Sequence, residues 1–98
     1  MSFDYRLTPR AVADLDAIAD YTLETWGLEQ LGSYLQSLNR RFDWLSEHPL
    51  AGRERNDVHP GYRSYPEGRH VIFYLVSDDH IDIIGIPHKS MDIGPDLF

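Results

Sequence analysis

The stretch RHVIFYLVSDDHIDIIGIP, residues 69–87, decides the fold of this chain. It holds two apolar runs, RHVIFYLV (69–76) and HIDIIGIP (80–87), separated by the polar SDD at 77–79. Runs of this length, rich in Val, Ile and aromatic residues, predict two β-strands joined by a tight turn. The chain is therefore expected to contain an antiparallel hairpin, around which its other elements are arranged.

Two helices precede this hairpin. Thr8 predicts the N-cap of the first, with Pro9 at the first helical position, where its missing N–H costs nothing. Gly27 ends this helix, and a second helical pattern runs from about Leu28 to Glu47. Because the connection is so short, the two helices should lie antiparallel. The stripes expected to be apolar are Val12, Leu15, Ile18, Ala19, Leu23 and Trp26 in the first helix, and Leu31, Leu35, Leu38, Phe42 and Leu45, widened by Tyr34 and Trp44, in the second.

The remaining elements are short. FDYRL (3–7) predicts a strand before the first helix, and GYRSY (61–65), ended by PEG, predicts another before the hairpin. Two His-Pro pairs and two glycines make HPLAGRERNDVHPGYR (48–63) a loop. The predicted order is β-α-α-β-β-β, an α+β fold with a helical hairpin packed on a small, mainly antiparallel sheet. Residues 1–98 are too few for a second core, so we expect one domain.

Charge and composition exclude several functions. The formal net charge is −7, whereas a protein that neutralises many phosphates normally carries a basic excess, so nucleic acid is disfavoured as the primary ligand. The absence of cysteine excludes disulfides and thiolate chemistry. The N-terminus lacks the pattern of a signal peptide and no apolar run reaches membrane-spanning length, so a soluble cytoplasmic protein is expected.

The two strands of the hairpin carry apolar residues on both faces. A half-buried antiparallel strand should alternate apolar with polar residues, and these do not. Leaving four or five such side chains in water forgoes several kcal/mol, at roughly 1.5–3 kcal/mol each, in a domain with a stability of about 5–15 kcal/mol. We therefore expect a partner chain over the sheet or the helical hairpin; closure of the second face by the C-terminal tail is the alternative, and self-association is a further one. The apolar residues assigned to one face are Val71, Phe73 and Leu75, with Ile72, Tyr74 and Val76 on the other, and Ile81 and Ile83 are assigned to the face opposite Ile84 and Ile86.

Several motifs in this order resemble the ParE/RelE superfamily of bacterial toxins from type II toxin–antitoxin modules, and its ParE branch in particular. They are the Tyr5 strand leading into LTPRAVADLDAIADYT, Trp26-Gly27 between the helices, HPLAG (48–52), GYRSYPEGRHVIFYLV (61–76) and DIIGIPHKSMD (82–92). The resemblance implies a ParD-like antitoxin that forms a hetero-oligomer with the toxin. It also implies that the free toxin inhibits DNA gyrase, whereas the RelE branch cleaves ribosome-bound mRNA. DNA would be contacted only indirectly, through the antitoxin.

On this reading we predict which residues bind the antitoxin. Arg63 and Arg69 are the expected charge anchors, because guanidinium groups hold carboxylates in a bidentate manner; the alternative for both is a surface arginine paired with an acid such as Glu67. The apolar contacts are expected at Leu31, Leu35 and Leu38 on the second helix and at Ile72, Tyr74 and Ile84 on the sheet.

The alternative function is a RelE-like mRNA interferase built on Arg63, Arg69, His88 and Lys89. Metal-free RNA cleavage needs a base, an acid and positive charge around the phosphorane. The tail after Lys89 brings acids, Asp92 and Asp96, and no further Tyr, His or Arg. We therefore interpret His88 as a strand-end residue and the chain as a non-catalytic poison. A third possibility is a module that has no target and only represses its own operon together with the antitoxin.

Neither a metal nor a cofactor is expected. No two histidines stand at the i, i+2 or i, i+4 spacing that places both on one face of a strand or helix. Asp78-Asp79 is explained by the chemistry of the turn between the last two strands.

Overall fold

The computed structural model describes residues 4–91, 93 and 94 and shows two helices on one five-stranded sheet. The sheet order is β1-β5-β4-β3-β2; β1 runs parallel to β5, and the other neighbours are antiparallel. The predicted α+β architecture is confirmed. The elements are β1 (Asp4–Leu7), α1 (Pro9–Trp26), α2 (Leu28–Glu47), β2 (Arg53–Glu54), β3 (Arg63–Glu67), β4 (His70–Val76) and β5 (His80–Gly85).

The ends of α1 form as the sequence predicts. The Thr8 hydroxyl accepts a hydrogen bond from the N–H of Ala11 at 3.2 Å, and Pro9 follows the cap. At the other end Gly27 has φ 91°, and its N–H donates to the carbonyl of Leu23 at 3.1 Å. A positive φ is freely available only to glycine, so Gly27 allows α2 to begin at the next residue. Neither of these helices is long and apolar enough to cross a membrane.

The core lies between the helical hairpin and one face of the sheet. On α1, Ala11, Leu15, Ile18 and Thr22 point inward at helical spacing. The buried face of α1 is therefore rotated around the helix axis relative to the predicted stripe. Ile18 is buried, and Leu15 and Ala19 are partly buried. The large stripe residues that are exposed instead are Val12, Leu23 and Trp26.

A β-bulge decides which isoleucines enter this core. Tyr74 pairs with Ile83 and Phe73 with Gly85, so Ile84 is an extra residue in β5. An extra residue reverses the alternation of faces beyond it. Ile86 therefore joins Ile83 in the helix-side core and is 2% exposed, which corrects the expectation that it shares a face with Ile84.

The second face of the sheet is covered by the segment 55–62, between β2 and β3. The Arg55 guanidinium lies 5.3 Å from the centre of the Phe73 ring, and Val58 is buried. Phe73 is fully buried as a result. The predicted surplus of apolar surface on the sheet is thus wrong, because a loop of the chain's own closes that face. The exposed large apolar residues of the hairpin are Val12, Tyr21, Leu23, Trp26 and Leu28.

Two details of the strands also differ from prediction. Arg53–Glu54 forms a short strand inside the predicted loop, pairing with Ser64 and Arg63. β3 continues through Pro66 instead of ending before it. Proline is tolerated there because β2 pairs only with the first part of β3, so at Pro66 the strand is an edge and its outer side needs no N–H donor.

Candidate functional site

A cleft of about 260 Å³ lies where the end of α1, the start of α2 and the β3–β4 turn meet. We call it the Trp26–Arg69 cleft. Among the described residues that line it, none carries a carboxylate, although the chain has sixteen acidic residues and a net charge of −7. The cleft is therefore a cationic and aromatic site on an acidic protein. Its lining residues are Tyr21, Thr22, Trp26, Gln30, Tyr34, Gly68, Arg69, His70 and His88.

The Tyr34 hydroxyl organises the floor of this cleft. It lies 2.6 Å from Nδ1 of His70, accepts from the N–H of Arg69 at 3.1 Å and donates to the carbonyl of Glu67 at 3.1 Å. One arrangement satisfies all three contacts: neutral His70 donates from Nδ1, while Tyr34 gives its single proton to Glu67. The glycine at 68, with φ 56°, is required because a Cβ there would crowd the Tyr34 ring.

This network is neutral near pH 7. Burial is the main cause that lowers the pKa of His70 to about 4, helped by the neighbouring His88 and Arg69 and opposed by Asp14. Burial also raises the pKa of Tyr34 above its usual value. A general acid or base works best with a pKa near the working pH. Both shifts move the pKa away from 7, so the His70–Tyr34 pair suits a structural role better than proton transfer.

The rim of the cleft combines exposed aromatic surface with one cation. Trp26 is 54% exposed and Tyr21 58% exposed. The guanidinium of Arg69 lies 4.7 Å from the centre of the Trp26 ring, which is a cation–π contact. On the opposite side the His88 ring meets His70 edge-on at 5.3 Å, and its Nδ1 lies 2.7 Å from the Ser90 hydroxyl.

A second groove, of about 510 Å³, continues from the cleft along α1. The two share Tyr21, His70 and His88. The wall of the groove is closed by Asp14, whose carboxylate accepts the backbone N–H of Ile86 at 2.8 Å and pairs with Arg10 at 3.1 Å. This contact ties α1 to the chain just beyond β5.

Arg63 lies outside the cleft and holds the loop between α2 and β2. It donates to the carbonyl of Gly52 at 2.8 Å and lies 3.5 Å from the Glu54 carboxylate. Arg63 is thus paired with an acid, as the alternative interpretation expects, but that acid is Glu54. Glu67 pairs with Arg41 at 2.8 Å instead.

Three predicted antitoxin contacts fall inside the core. Ile72 and Tyr74 have no exposed surface and Leu38 is 1% exposed, because all three lie between the helical hairpin and the sheet. For a partner that binds this conformation, these three predictions are wrong. The other five predicted antitoxin contacts keep solvent-exposed surface. Leu31, Leu35, Ile84 and Arg63 are partly exposed, and Arg69 is exposed.

Of the four residues of the nuclease alternative, the structure brings three together. His88 bridges to His70, and the N–H of Lys89 donates to the carbonyl of Arg69 at 2.9 Å. Arg63 stands apart from these three. It lies four residues before Glu67, the β3 residue that pairs with His70, and four residues of strand span roughly 13 Å. The two tail acids weighed against a nuclease, Asp92 and Asp96, lie outside the described residues.

Among the described residues, no group of three or more His, Asp or Glu side chains is arranged to hold a metal ion. The cleft residues Trp26, Tyr34 and His70 were not predicted from the sequence as parts of a site. Trp26 and Tyr34 fall in the apolar stripes of the two helices, and His70 lies at the start of a predicted strand. One signal was available for Trp26. It immediately precedes the helix-ending Gly27, so it stands at the tip of the hairpin, away from the core.

Comparison with known proteins agrees with this architecture. Residues 5–93 match the family described as the ParE toxin of type II toxin–antitoxin systems. The chain is 37% identical over 98 residues to toxin ParE1 of Mycobacterium tuberculosis, covering 99% of this chain and all of that protein. It is 40% identical over 88 residues to toxin ParE1 of Caulobacter vibrioides, covering 90% and 91% of the two chains.

Solved structures show the same fold. A chain of the chromosomal ParDE toxin–antitoxin system from P. aeruginosa superposes with a TM-score of 0.74 at 25% identity, covering 89% of this chain and 96% of that one. A chain of the RelBE2 toxin–antitoxin complex from M. tuberculosis superposes with a TM-score of 0.63 at 20% identity, covering 91% and 100%. The family match and the full-length similarity to the two ParE1 toxins show that the protein is a toxin of a type II toxin–antitoxin system. Within that class the chain belongs to the ParE family.

Proposed function

We propose that this toxin is neutralised by a ParD-like antitoxin in a hetero-oligomer and, when free, inhibits DNA gyrase by binding to it. Membership of the ParE family supports the pairing, as does the likeness to a chain of the P. aeruginosa ParDE system. Both proposed partners act in the bacterial cytoplasm, so the toxin would act there too.

A stoichiometric mechanism is supported by one observation: Arg63 lies apart from the other three candidate nuclease residues, and the buried His70–Tyr34 pair beside those three has a structural arrangement. The Arg63 guanidinium donates a hydrogen bond to the carbonyl of Gly52. His70 has a pKa of about 4, so it is neutral near pH 7. Tyr34 shares its hydroxyl among three partners. The pKa of His70 is lowered to about 4 and that of Tyr34 is raised, so this buried pair is poorly suited to proton transfer at neutral pH, and we propose that the toxin acts without catalysing a reaction.

The antitoxin would cover the apolar surface that the hairpin leaves exposed. Leu31 and Leu35 on α2 keep partial exposure, and Ile84 does so on the sheet. Arg69 keeps the role of charge anchor. Arg63 holds a loop carbonyl, so we propose that it contributes to binding by shaping the surface.

Two assays run side by side test the proposal. Purified toxin is added to a DNA gyrase supercoiling reaction and, separately, to ribosomes translating a defined mRNA. We expect loss of supercoiling with intact message, and recovery of supercoiling when the antitoxin is added. Cleavage of the mRNA with unchanged supercoiling would contradict the proposal and support the interferase alternative. Inactivity in both assays with retained antitoxin binding would favour a module that only represses its operon.

A further inference from the structure

We propose that the Trp26–Arg69 cleft is the docking site for one segment of the antitoxin, a segment that carries a carboxylate side chain beside an apolar one. This inference rests on the proposed pairing with an antitoxin. It specifies the chemistry that the partner presents and the place where it binds. Charge, exposure and size support it.

The charge of the cleft fits a carboxylate. Within the described part of the chain, no acidic side chain lies within ion-pairing distance of the Arg69 guanidinium. The nearby acids are engaged elsewhere, Glu67 with Arg41 and Asp14 with Arg10. A guanidinium stacked on an indole keeps its N–H groups in its own plane, where a carboxylate can accept two of them. The stacking on Trp26 therefore positions Arg69 before a ligand arrives.

The aromatic walls fit an apolar side chain. More than half of Trp26 and of Tyr21 is exposed. Exposed aromatic side chains beside an arginine are the composition typical of binding hot spots. The volume of about 260 Å³ is below the roughly 300–1,000 Å³ of sites for drug-sized ligands, so it suits one or two side chains better than a cofactor.

A peptide fits this site better than a nucleic acid. The outer side of α1 carries Asp16, Asp20 and Glu24, all exposed, close in sequence to Trp26. A chain of phosphates crossing the cleft would approach these carboxylates as well as Arg69, and the net charge of −7 adds to the repulsion. A single carboxylate reaches the guanidinium without that cost.

The test measures the affinity of the full-length toxin for its ParD-like antitoxin. Arg69→Gln and Trp26→Ala are each expected to weaken binding by about 10- to 100-fold, the usual effect of losing a charged hydrogen bond or an aromatic anchor. Arg53→Gln is the matched control, because Arg53 is an exposed arginine on β2. It should stay within about 3-fold of the wild type. Arg69 and Arg53 are exposed, so their variants should keep the wild-type thermal midpoint, whereas Trp26→Ala loses a ring that is only 54% exposed and should remain folded at the temperature of the assay.

A double-mutant cycle then identifies the partner group. Each Asp and Glu of the antitoxin is replaced by Asn or Gln and measured against wild-type toxin and Arg69→Gln. One acid should lose its effect when Arg69 is already Gln, whereas strict additivity for every acid would overturn the inference. Unchanged affinity of Arg69→Gln and Trp26→Ala would overturn it too, while leaving the proposed function intact. Loss of binding to a labelled RNA oligonucleotide in these variants, with antitoxin affinity unchanged, would assign the cleft to nucleic acid.

Discussion

Replacing Tyr74 by Phe should destabilise the fold strongly, although it removes one oxygen atom. The Tyr74 hydroxyl accepts the N–H of Gly52 at 2.9 Å and donates to the carbonyl of Pro49 at 2.8 Å, from a ring with no exposed surface. It thereby joins β4 to the HPLAG loop. Gly52 is buried against this hydroxyl, and a Cβ at that position would overlap with it.

The magnitude follows from the two groups left behind. A buried donor or acceptor without a partner costs about 1–3 kcal/mol. Because the bond to the Pro49 carbonyl is only partly buried, losing both bonds should lower the free energy of unfolding by about 2–4 kcal/mol, the lower part of the summed range. For a domain of this size that corresponds to a fall in Tm of about 10–20 °C. Urea denaturation, with the slope of the transition held constant between proteins, measures the difference.

Tyr65→Phe is the matched control. It deletes the same oxygen from a ring that packs on Trp44, with centroids 5.3 Å apart, and that lies 4.9 Å from the guanidinium of Arg41. Its effect should stay within about 0.5 kcal/mol of the wild type. If Tyr74→Phe proved as mild as Tyr65→Phe, the two bonds would not be holding the HPLAG loop, and the reasoning would be refuted.

Three further predictions concern stability. Thr8→Ala should cost about 1–2 kcal/mol in urea denaturation because it removes the N-cap of α1, whereas Thr25→Ala, exposed inside α1, should cost nothing; equal effects would disprove the capping role. Arg63→Ala should free the loop at 49–52 and accelerate its amide hydrogen exchange, and unchanged exchange would show that the arginine does not hold the loop. His70 has a pKa lowered from 6.5 to about 4 in the folded chain, so its contribution is complete above pH 6.5 and is lost as pH falls towards 4. Allowing for half-burial, about 1–2 kcal/mol should disappear in that window. The stability difference between wild type and His70→Gln should therefore shrink from pH 7.5 to 4.5, and a constant difference would contradict the assigned shift.

The elements of this fold follow from local signals in the sequence. Thr8-Pro9 and Gly27 determine the ends of α1 through the geometry of single residues, and SDD marks the turn between β4 and β5. Such signals act over a few residues, so they can be read without knowing the tertiary structure. The parallel pairing of β1 with β5 has no local signal, because it joins residues more than seventy positions apart.

The faces of the elements were harder to predict, since they depend on neighbours distant in sequence. The bulge at Ile84 places Ile86 on the face of the sheet opposite to the predicted one, and no residue type in HIDIIGIP indicates that a bulge forms there. Coverage of Phe73 depends on the segment 55–62, whose Arg55 and Val58 look like ordinary loop residues. The apolar surplus was therefore assigned to the sheet, although the exposed apolar surface lies largely on the helical hairpin.

The candidate site was predicted in part for the same reason. Arg69 was identified from its charge and its place at the start of a predicted strand. The cleft around it is formed by Trp26, Tyr34 and His70, which come from three separate elements. Only the packing of the hairpin tip against the β3–β4 turn brings these three side chains together.

The central claim, that the toxin acts by binding gyrase and not by catalysis, is tested most directly by a titration. A fixed amount of gyrase is assayed for supercoiling against increasing toxin, and the end point gives the ratio at which inhibition is complete. We predict inhibition that reaches completion only when the toxin is at least equimolar with gyrase and that equimolar antitoxin reverses. Full supercoiling in a large excess of folded toxin, or complete inhibition by a small fraction of one equivalent, would contradict the account.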